Sequence, residues 1–262
     1  MLGIVIPVRN GWEDTRECLE SLYAQNFPVE IVLMDTGSTD GTVSCLNEFP
    51  CIFRYKFHGA NFSQAVNRGC NFLFSFKDID RVLILNNDTL ILDEALKEMS
   101  NCSNYYGSVG IVTPRINYYG SELVWSAGGA YNLDWGLTWH ENIRVLKPEA
   151  SNFVDWATGC AMLIHKKCWQ EAGGFDEKLP WYDSDVDFCI RAREKSWLVW
   201  YTSQALIQHK IGRSSSSWWQ VKEKLRGRFL LLKKHVSWWR LPLALLGFMM
   251  QALFRFIGSK FR

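Results

Sequence analysis

The chain has 262 residues, 48% hydrophobic and 21% charged, a composition ordinary for a globular protein and ample for one large α/β domain or a domain with an appendage. The eight cysteines (18, 45, 51, 70, 102, 160, 168 and 189) show no C-x-x-C spacing. That argues against a zinc site or a disulfide framework and fits buried thiols in a reducing compartment. Net charge is only +2, yet residues 210–262 hold 12 Lys/Arg against Glu223 alone, a local +11 that leaves −9 on the rest. The basic segment should therefore meet something anionic.

In chain order, Leu2–Val8 reads as a strand; it lacks the charged n-region and long apolar core of a signal peptide, so a cytosolic location is expected. Helices near Glu13–Gln25, Thr39–Glu48, Ser63–Phe76 and Leu92–Asn101 alternate with strands at Val29–Met34, Cys51–Phe57, Arg81–Leu85 and Val109–Thr113. This βαβ order predicts a mainly parallel sheet flanked by helices, with binding loops after the strand C-termini, around Arg9, Asp35, His58 and Asp88. Residues 117–148 weaken into Gly, Tyr and Trp, an insertion or short strands bordering a site. A second α/β stretch follows: Ala161–His165 as strand, Lys167–Ala172 and Asp185–Lys195 as helices, and Trp197–Thr202 as strand. No repeat is visible, and Ser214–Ser217 is the one low-complexity run.

The last 47 residues differ in kind. Leu241–Phe254 is apolar except for Gln251 but is 14 residues long, short of the ~20 a spanning helix needs. Lys233, Lys234 and Arg240 precede it, Arg255, Lys260 and Arg262 follow it, and Trp218, Trp219, Trp238 and Trp239 stand where interfacial aromatics would help. The expectation is a domain over 1–215 and an amphipathic helical tail over 216–262 that lies on an anionic membrane surface. A helical pair packed on the domain is the competing reading. Nucleic acid is a rival anionic partner, but no nucleic-acid motif is present. The aromatic share (13 Trp, 9 Tyr, 16 Phe) suits sugar stacking or a membrane belt as well as a core.

Four segments carry candidate chemistry. Asn86-Asn87-Asp88-Thr89 closes a buried strand, where a carboxylate suits Mg²⁺ or Mn²⁺, although alone it reads as a turn capping the next helix. Asp35, opening Asp-Thr-Gly-Ser-Thr-Asp-Gly-Thr, can accept from a base or ribose, and the absence of G-x-G-x-x-G disfavours a dinucleotide dehydrogenase. Asn67 and Arg68 could reach a nucleotide, or could simply form an exposed helix face. Asp183, Asp185 and Asp187 repel one another unless a cation or a function uses them; one could act as general base, or they could cap the helix. His209 ends an apolar strand and could ligate a metal.

The order Ile4–Asn10, Met34–Thr42, Asn67-Arg68-Gly69, Leu85–Thr89, Thr158–Ile164, Gly173–Glu177 and Asp185-Val186-Asp187 with Arg191 resembles the family 2 glycosyltransferases of GT-A fold, in particular the bacterial rhamnosyltransferase-like branch, over about residues 2–215. The resemblance implies an inverting transfer of a sugar, with rhamnose as first choice, from a nucleoside-diphosphate donor to a glycan or lipid-linked acceptor in cell-surface polysaccharide synthesis. It also implies residue roles. Pro7, Val8, Arg9, Asp35, Asn67, Arg68 and Asn87 would bind the nucleotide, and Asp88 and His209 a divalent metal. Asp185 would be the base, and Gly159, Cys160, Trp181 and Tyr182 would face donor sugar and acceptor. Three positions depart from the family pattern: one carboxylate stands in Asn86-Asn87-Asp88 in place of two, Thr36 replaces an Asp or Asn, and Ser184 replaces the Glu before the base. A metal-dependent nucleotidyltransferase and a catalytically weak sugar-nucleotide-binding scaffold at the membrane are the alternatives. The expected location is the cytoplasmic side, peripheral on the inner face of the cell membrane.

Overall fold

The structure of the chain, a computed structural model, describes residues 1–45, 49, 52–105, 107–140, 150–211 and 218–259. The Ser214–Ser217 run, Arg213, Lys260, Arg262, Cys51 and the end of the second expected helix (46–48) lie outside them. The first half reads β1 (Leu2–Val8), α1 (Trp12–Tyr23), β2 (Val29–Asp35), α2 (Thr42–Cys45), β3 (Ile52–Lys56), α3 (Phe62–Phe74), β4 (Arg81–Leu85), β5 (Thr89–Ile91), α4 (Ala95–Tyr105) and β6 (Val109–Tyr118). Then follow β7 (Val124–Ser126), β8 (Gly129–Asn132), β9 (Leu137–His140), β10 (Asn152–Val154), β11 (Ala161–His165), α5 (Lys166–Ala172), α6 (Ser184–Glu194), β12 (Leu198–His209), α7 (Trp218–His235) and α8 (Leu241–Ser259).

The ten-stranded sheet runs β10-β12-β6-β11-β4-β1-β2-β3, with β5 added to β12 and β7 to β6. The expected mainly parallel sheet is present. β4, β1, β2 and β3 are mutually parallel, as are β6 and β12, while β11 lies antiparallel between β4 and β6. The strands that read as continuous apolar runs are buried on both faces: Ile4, Ile6, Leu33 and Leu83 on one side, and Val5, Val32, Val82 and Ile84 on the other. α3 presses onto β1 and β2 through Gly69, where a Cβ would lie 2.6 Å from Val5 Cγ1; any side chain there would lift the helix from the sheet.

Two strands are longer than the separate segments read from the sequence. β6 continues to Tyr118 and β12 to His209, because each satisfies the other's backbone in a parallel pair from Leu198↔Val109 to His209↔Tyr118. Helix capping by Asn86–Thr89 is also corrected: Thr89 begins β5, which pairs antiparallel with β12 in the register Thr89↔His209. Asp88 and His209 are neighbours because of that pairing.

The basic tail forms the helical pair α7 and α8, and the pair packs on the body. Leu232, Val236 and Ala244 form a small core with Leu133, Leu241, Leu245 and Phe248. Gly136 and Gly247 allow contact between α8 and the turn at Leu133–Trp135, and Gly227 brings α7 against Tyr182, whose carbonyl oxygen would be 2.7 Å from a Cβ. Part of the tail's charge excess is answered by the body itself. Lys210 bonds Asp14 and Glu17, Arg228 bonds Asp183, Lys234 reaches Asp176 and Asp187, and Arg240 reaches Asp134. Its apolar residues divide between faces, and Trp218, Trp238, Trp239, Leu246, Met249, Met250, Leu253 and Phe254 stay exposed. No helix among the described residues is long and apolar enough to cross a membrane.

Candidate functional site

The site lies over the C-terminal ends of β1, β2 and β4, where open α/β sheets bind ligands. After β1 the chain turns sharply, with Asn10 (φ 64°) and Gly11 (φ 82°) both left-handed. That turn is tied to the loop after β2. Asn10 N–H donates to Ser38 Oγ at 2.8 Å, Thr39 N–H to Asn10 Oδ1 at 2.7 Å, and Gly11 N–H to Asp40 Oδ2 at 2.7 Å. Thr36, at the first position that departs from the family pattern, is buried and donates through N–H and Oγ1 to Val8 O, clamping the two strand ends together. Asp35 closes β2. Its Oδ1 accepts from Ser38 N–H at 2.9 Å, while Oδ2 is buried without a partner beside a cavity of about 690 Å³ that Ser38, Arg54 and Lys56 also line. An orphaned buried acceptor of this kind calls for a donor from a ligand.

A second cavity, of about 750 Å³, opens between the sheet and the tail helices. Asn86, Gly159, Cys160, Asp185 and His209 line its floor, with Trp181 and Tyr182 in its wall. His209 Nε2 stands 3.2 Å from Asp88 Oδ1, an oxygen that is otherwise buried and unpaired. Burial works against a charged His209 ring, but Cys160 and the Asp88 carboxylate outweigh it and raise the imidazole to about 10. Burial raises the Cys160 thiol, so its sulfur is no nucleophile. Without a cation the Asp88 carboxylate and the His209 imidazolium pair with each other. A divalent cation at Asp88 would displace the ring proton, and the two residues would then offer it one oxygen and one nitrogen donor. Among the described residues no group of three or more His, Cys, Asp or Glu side chains could enclose a metal by itself.

The three carboxylates at the start of α6 separate in role. Asp187 is fully buried between Arg191 Nε (2.8 Å), Lys234 Nζ (2.8 Å) and His235 Nε2 (2.7 Å). Burial works against its charge, yet His235, Arg191 and Lys234 prevail and hold the carboxyl down at about 2. Asp183, left-handed at φ 62°, does not cap the helix with its side chain; it takes a two-pronged bond from Arg228, at 3.1 Å from Nε and 2.9 Å from Nη2. The cations that these acids require thus come largely from α7. Asp185 has no ion pair among the described residues. Its Oδ2 accepts from Gly159 N–H and its Oδ1 from Val186 N–H, both at 2.9 Å. Burial, and then the neighbouring Asp183 charge, raise its carboxyl to about 6 despite those two donors.

Of the other expected nucleotide residues, two have different work. The Asn67 carboxamide bonds Phe175 N–H and O and Glu177, and so pins the Gly173–Glu177 loop to α3. Asn87 donates to Thr15 Oγ1 at 2.9 Å and to Asn10 O at 3.4 Å, bracing the turn after β1. Arg68 is exposed over the Phe57 ring, 4.9 Å from its centroid. Pro7 and Val8 end β1 and Arg9 follows it, and none of these six lines either cavity.

The sequence reading did not single out the aromatic wall formed by Trp125, His140 and Trp156. Trp125 meets both His209 and His140 at 4.8 Å between ring centroids, and His140 meets Trp156 at 4.7 Å. Their signal was the aromatic density of residues 117–148 and the stretch after it. Arg228, Lys224 and Trp219, cavity residues from the tail, were read as membrane-facing charge and bulk.

Residues 3–169 match the model of glycosyl transferase family 2. An N-acetylglucosaminyl-diphospho-decaprenol L-rhamnosyltransferase of Mycobacterium tuberculosis is 28% identical over 247 residues, covering 84% of this chain and 80% of the relative. Among solved structures, GalNAc-T7 with UDP, GalNAc and Mn²⁺ superposes with TM-score 0.71 at 15% identity, over 89% of this chain and 47% of that one. The mannosyltransferase PcManGT of Pyrobaculum calidifontis, with GDP-Man and Mn²⁺, superposes with TM-score 0.62 at 14% identity, over 96% and 75%. The chain spans about half of the GalNAc-T7 chain, and both superpositions speak to fold alone.

Proposed function

Because the chain belongs to glycosyl transferase family 2, we propose that it moves a sugar, rhamnose as first choice, from a nucleoside-diphosphate donor to a hydroxyl of a lipid-linked glycan, with inversion. The observation that carries the reading is the isolation of Asp185. Of the three acids at the start of α6 it alone lacks a cation among the described residues, and it lines the same cavity as His209 and Asn86. A carboxylate whose proton affinity is raised to about 6 is mostly ionised at neutral pH, yet basic enough to take a proton in the transition state. With a single free carboxylate, one displacement from the face opposite the leaving group is the simplest course, which supports inversion.

The donor's nucleoside sits over the ends of β1 and β2, where Asp35 Oδ2 accepts from it. Asp88 and His209 would hold a divalent cation, which would supply positive charge against the charge developing on the departing diphosphate. The Mn²⁺ in both solved relatives and the orphaned Asp88 oxygen support this assignment. Gly159 N–H fixes Asp185 Oδ2 in place, leaving the carboxylate's remaining lone pairs for the acceptor hydroxyl. Trp181, Tyr182 and the Trp125–Trp156 wall offer faces to sugar rings.

The rhamnose and lipid assignments rest on the activity of the mycobacterial relative. Residues 1–215 act as the transferase domain, and 216–262 place it on an anionic membrane surface at the cytoplasmic face. The exposed tryptophans and apolar residues of α7 and α8 support that placement. The test is turnover of thymidine-diphosphate rhamnose, and of uridine-diphosphate sugars, with a GlcNAc-diphospho-lipid acceptor and Mg²⁺ or Mn²⁺. Release of nucleoside diphosphate that Asp185→Asn abolishes is expected. Donor binding without turnover for every sugar would favour the scaffold, and near-normal turnover in Asp185→Asn would remove the base.

A further inference from the structure

The tail helices do more than cover the body: they build the outer wall of the cavity that holds Asp185. Trp219, Val221, Lys224, Leu225 and Arg228 of α7, with Phe248 and Gln251 of α8, line it opposite the sheet. The two basic residues in that wall differ. Arg228 is buried and fully engaged by Asp183, Thr138 Oγ1 and Gly136 O. Lys224 is exposed, and its ammonium meets no carboxylate among the described residues; it lies over the face of Tyr182, 5.2 Å from the ring centroid. Val221 and Leu225, beside it, belong both to the cavity wall and to an exposed apolar stripe, Trp218, Val221, Leu225 and Phe229, spaced at helical intervals on α7. The cavity mouth therefore presents three chemistries in sequence: a carboxylate base inside, an unpaired cation at the lip, and an apolar track outside.

We propose that Lys224 is the acceptor's diphosphate site. The acceptor sugar reaches inward between Trp181 and Asp185, the diphosphate that joins it to its lipid lies against the Lys224 ammonium, and the lipid leaves along Val221 and Leu225. This rests on the glycosyltransferase reading and deepens it, because it identifies the anionic linkage that the acceptor must carry. The charge pattern explains why a cation belongs at the lip. A diphosphate drawn towards Asp185, the acid at the start of α6 that no cation among the described residues neutralises, is repelled by it, and the Lys224 ammonium offsets that repulsion where the polyanion stops. Tyr182 holds the ammonium over its ring without neutralising it. Lys224 is here a specificity residue, and it takes no part in the bond exchange.

The experiment compares two acceptors with the full chain in neutral detergent: GlcNAc-diphospho-farnesol, and an uncharged farnesyl GlcNAc glycoside. The readout is the ratio of their kcat/KM values. One charge-assisted contact is worth roughly tenfold to a hundredfold, so Lys224→Gln should lower the preference for the diphosphate acceptor by at least about tenfold. Lys224→Arg should keep most of it. An unchanged ratio in Lys224→Gln would overturn the proposal, as would an effect seen only on anionic vesicles, which would make Lys224 a contact to membrane headgroups. These failures are distinct from failure of the parent reading, in which the unaltered chain turns over neither acceptor.

Discussion

Replacing Asp185 by Asn tests catalysis and stability together, and the two effects run in opposite directions. The Asp185 carboxyl is raised from 3.8 to about 6, mainly by burial, so its charged form is disfavoured in the folded protein. The sign follows from linkage. The native carboxyl binds its proton more tightly than the unfolded one, so the cost is absent below pH ~3.8, grows between ~3.8 and ~6, and is complete above ~6. A shift of roughly two units corresponds to about 3 kcal/mol at neutral pH. Asn recovers only part of it. Gly159 N–H and Val186 N–H both donate to the carboxylate, and a carboxamide has one oxygen for two donors. A net gain of about 1–2 kcal/mol is expected at pH 7, or roughly 2–8 °C in melting temperature, with little or no gain near pH 4. Thermal melts of both proteins across pH 4–8, read beside sugar transfer at pH 7, make the test. Transfer should disappear as the melting temperature rises. A variant equally stabilised at every pH, or less stable at pH 7 than at pH 4 relative to the parent, would refute the raised carboxyl and with it the assignment of the base.

Arg228→Met leaves Asp183 without its cation and Gly136 O and Thr138 Oγ1 without a donor, so a loss of about 3 kcal/mol is expected in denaturant unfolding. Asp183→Asn combined with it should cost less than the sum of the two, and additivity would show that the pair does not interact. Asp88→Ala and His209→Ala should each weaken Mn²⁺-dependent nucleotide-sugar binding at least about tenfold in calorimetry, while metal-free binding changes little. Equal loss with and without the metal would assign them to the nucleotide instead. The pH dependence of transfer should rise through about 6 with Asp185 ionisation, and a profile flat from pH 5 to 8 would exclude that group as base. Changing Trp218, Trp238, Leu246, Met250 and Phe254 together to Ser should reduce flotation with anionic vesicles without lowering the melting temperature, since all five side chains are exposed. Unaltered flotation would leave the membrane surface without its contact.

Much of the sheet was legible because its strands carry their own signal. Leu2–Val8, Arg81–Leu85 and Ala161–His165 are apolar runs ended by polar residues, and each forms a strand with the boundaries read from the chain. Asp88 and Asp185 were legible too, as carboxylates at a strand end and a helix start, and the family pattern gave them roles. That the strand read over Trp197–Thr202 and the apolar strand ending at His209 are one element, β12, was not legible, because polar Ser203 and Gln204 part them in sequence and only the shared pairing with β6 joins them. Nor was the work of Asn67. A helix-face carboxamide gives no hint in sequence that Phe175, far along the chain, takes both its donor and its acceptor.

The sequence by itself determined the alternation of strands and helices, the uneven distribution of charge and the identity of the groups able to bind a cation or take a proton, since those depend on local pattern and side-chain chemistry. Tertiary structure decided which of those groups are left free. The three acids at the start of α6 are equivalent as text, and α7 makes them different. Arg228 neutralises Asp183; Lys234, with Arg191 of α6 itself, neutralises Asp187, which also bonds His235; Asp185 meets no cation among the described residues and keeps its charge in a cavity. Electrostatic partners many residues apart are chosen by packing, and packing is a property of the whole fold.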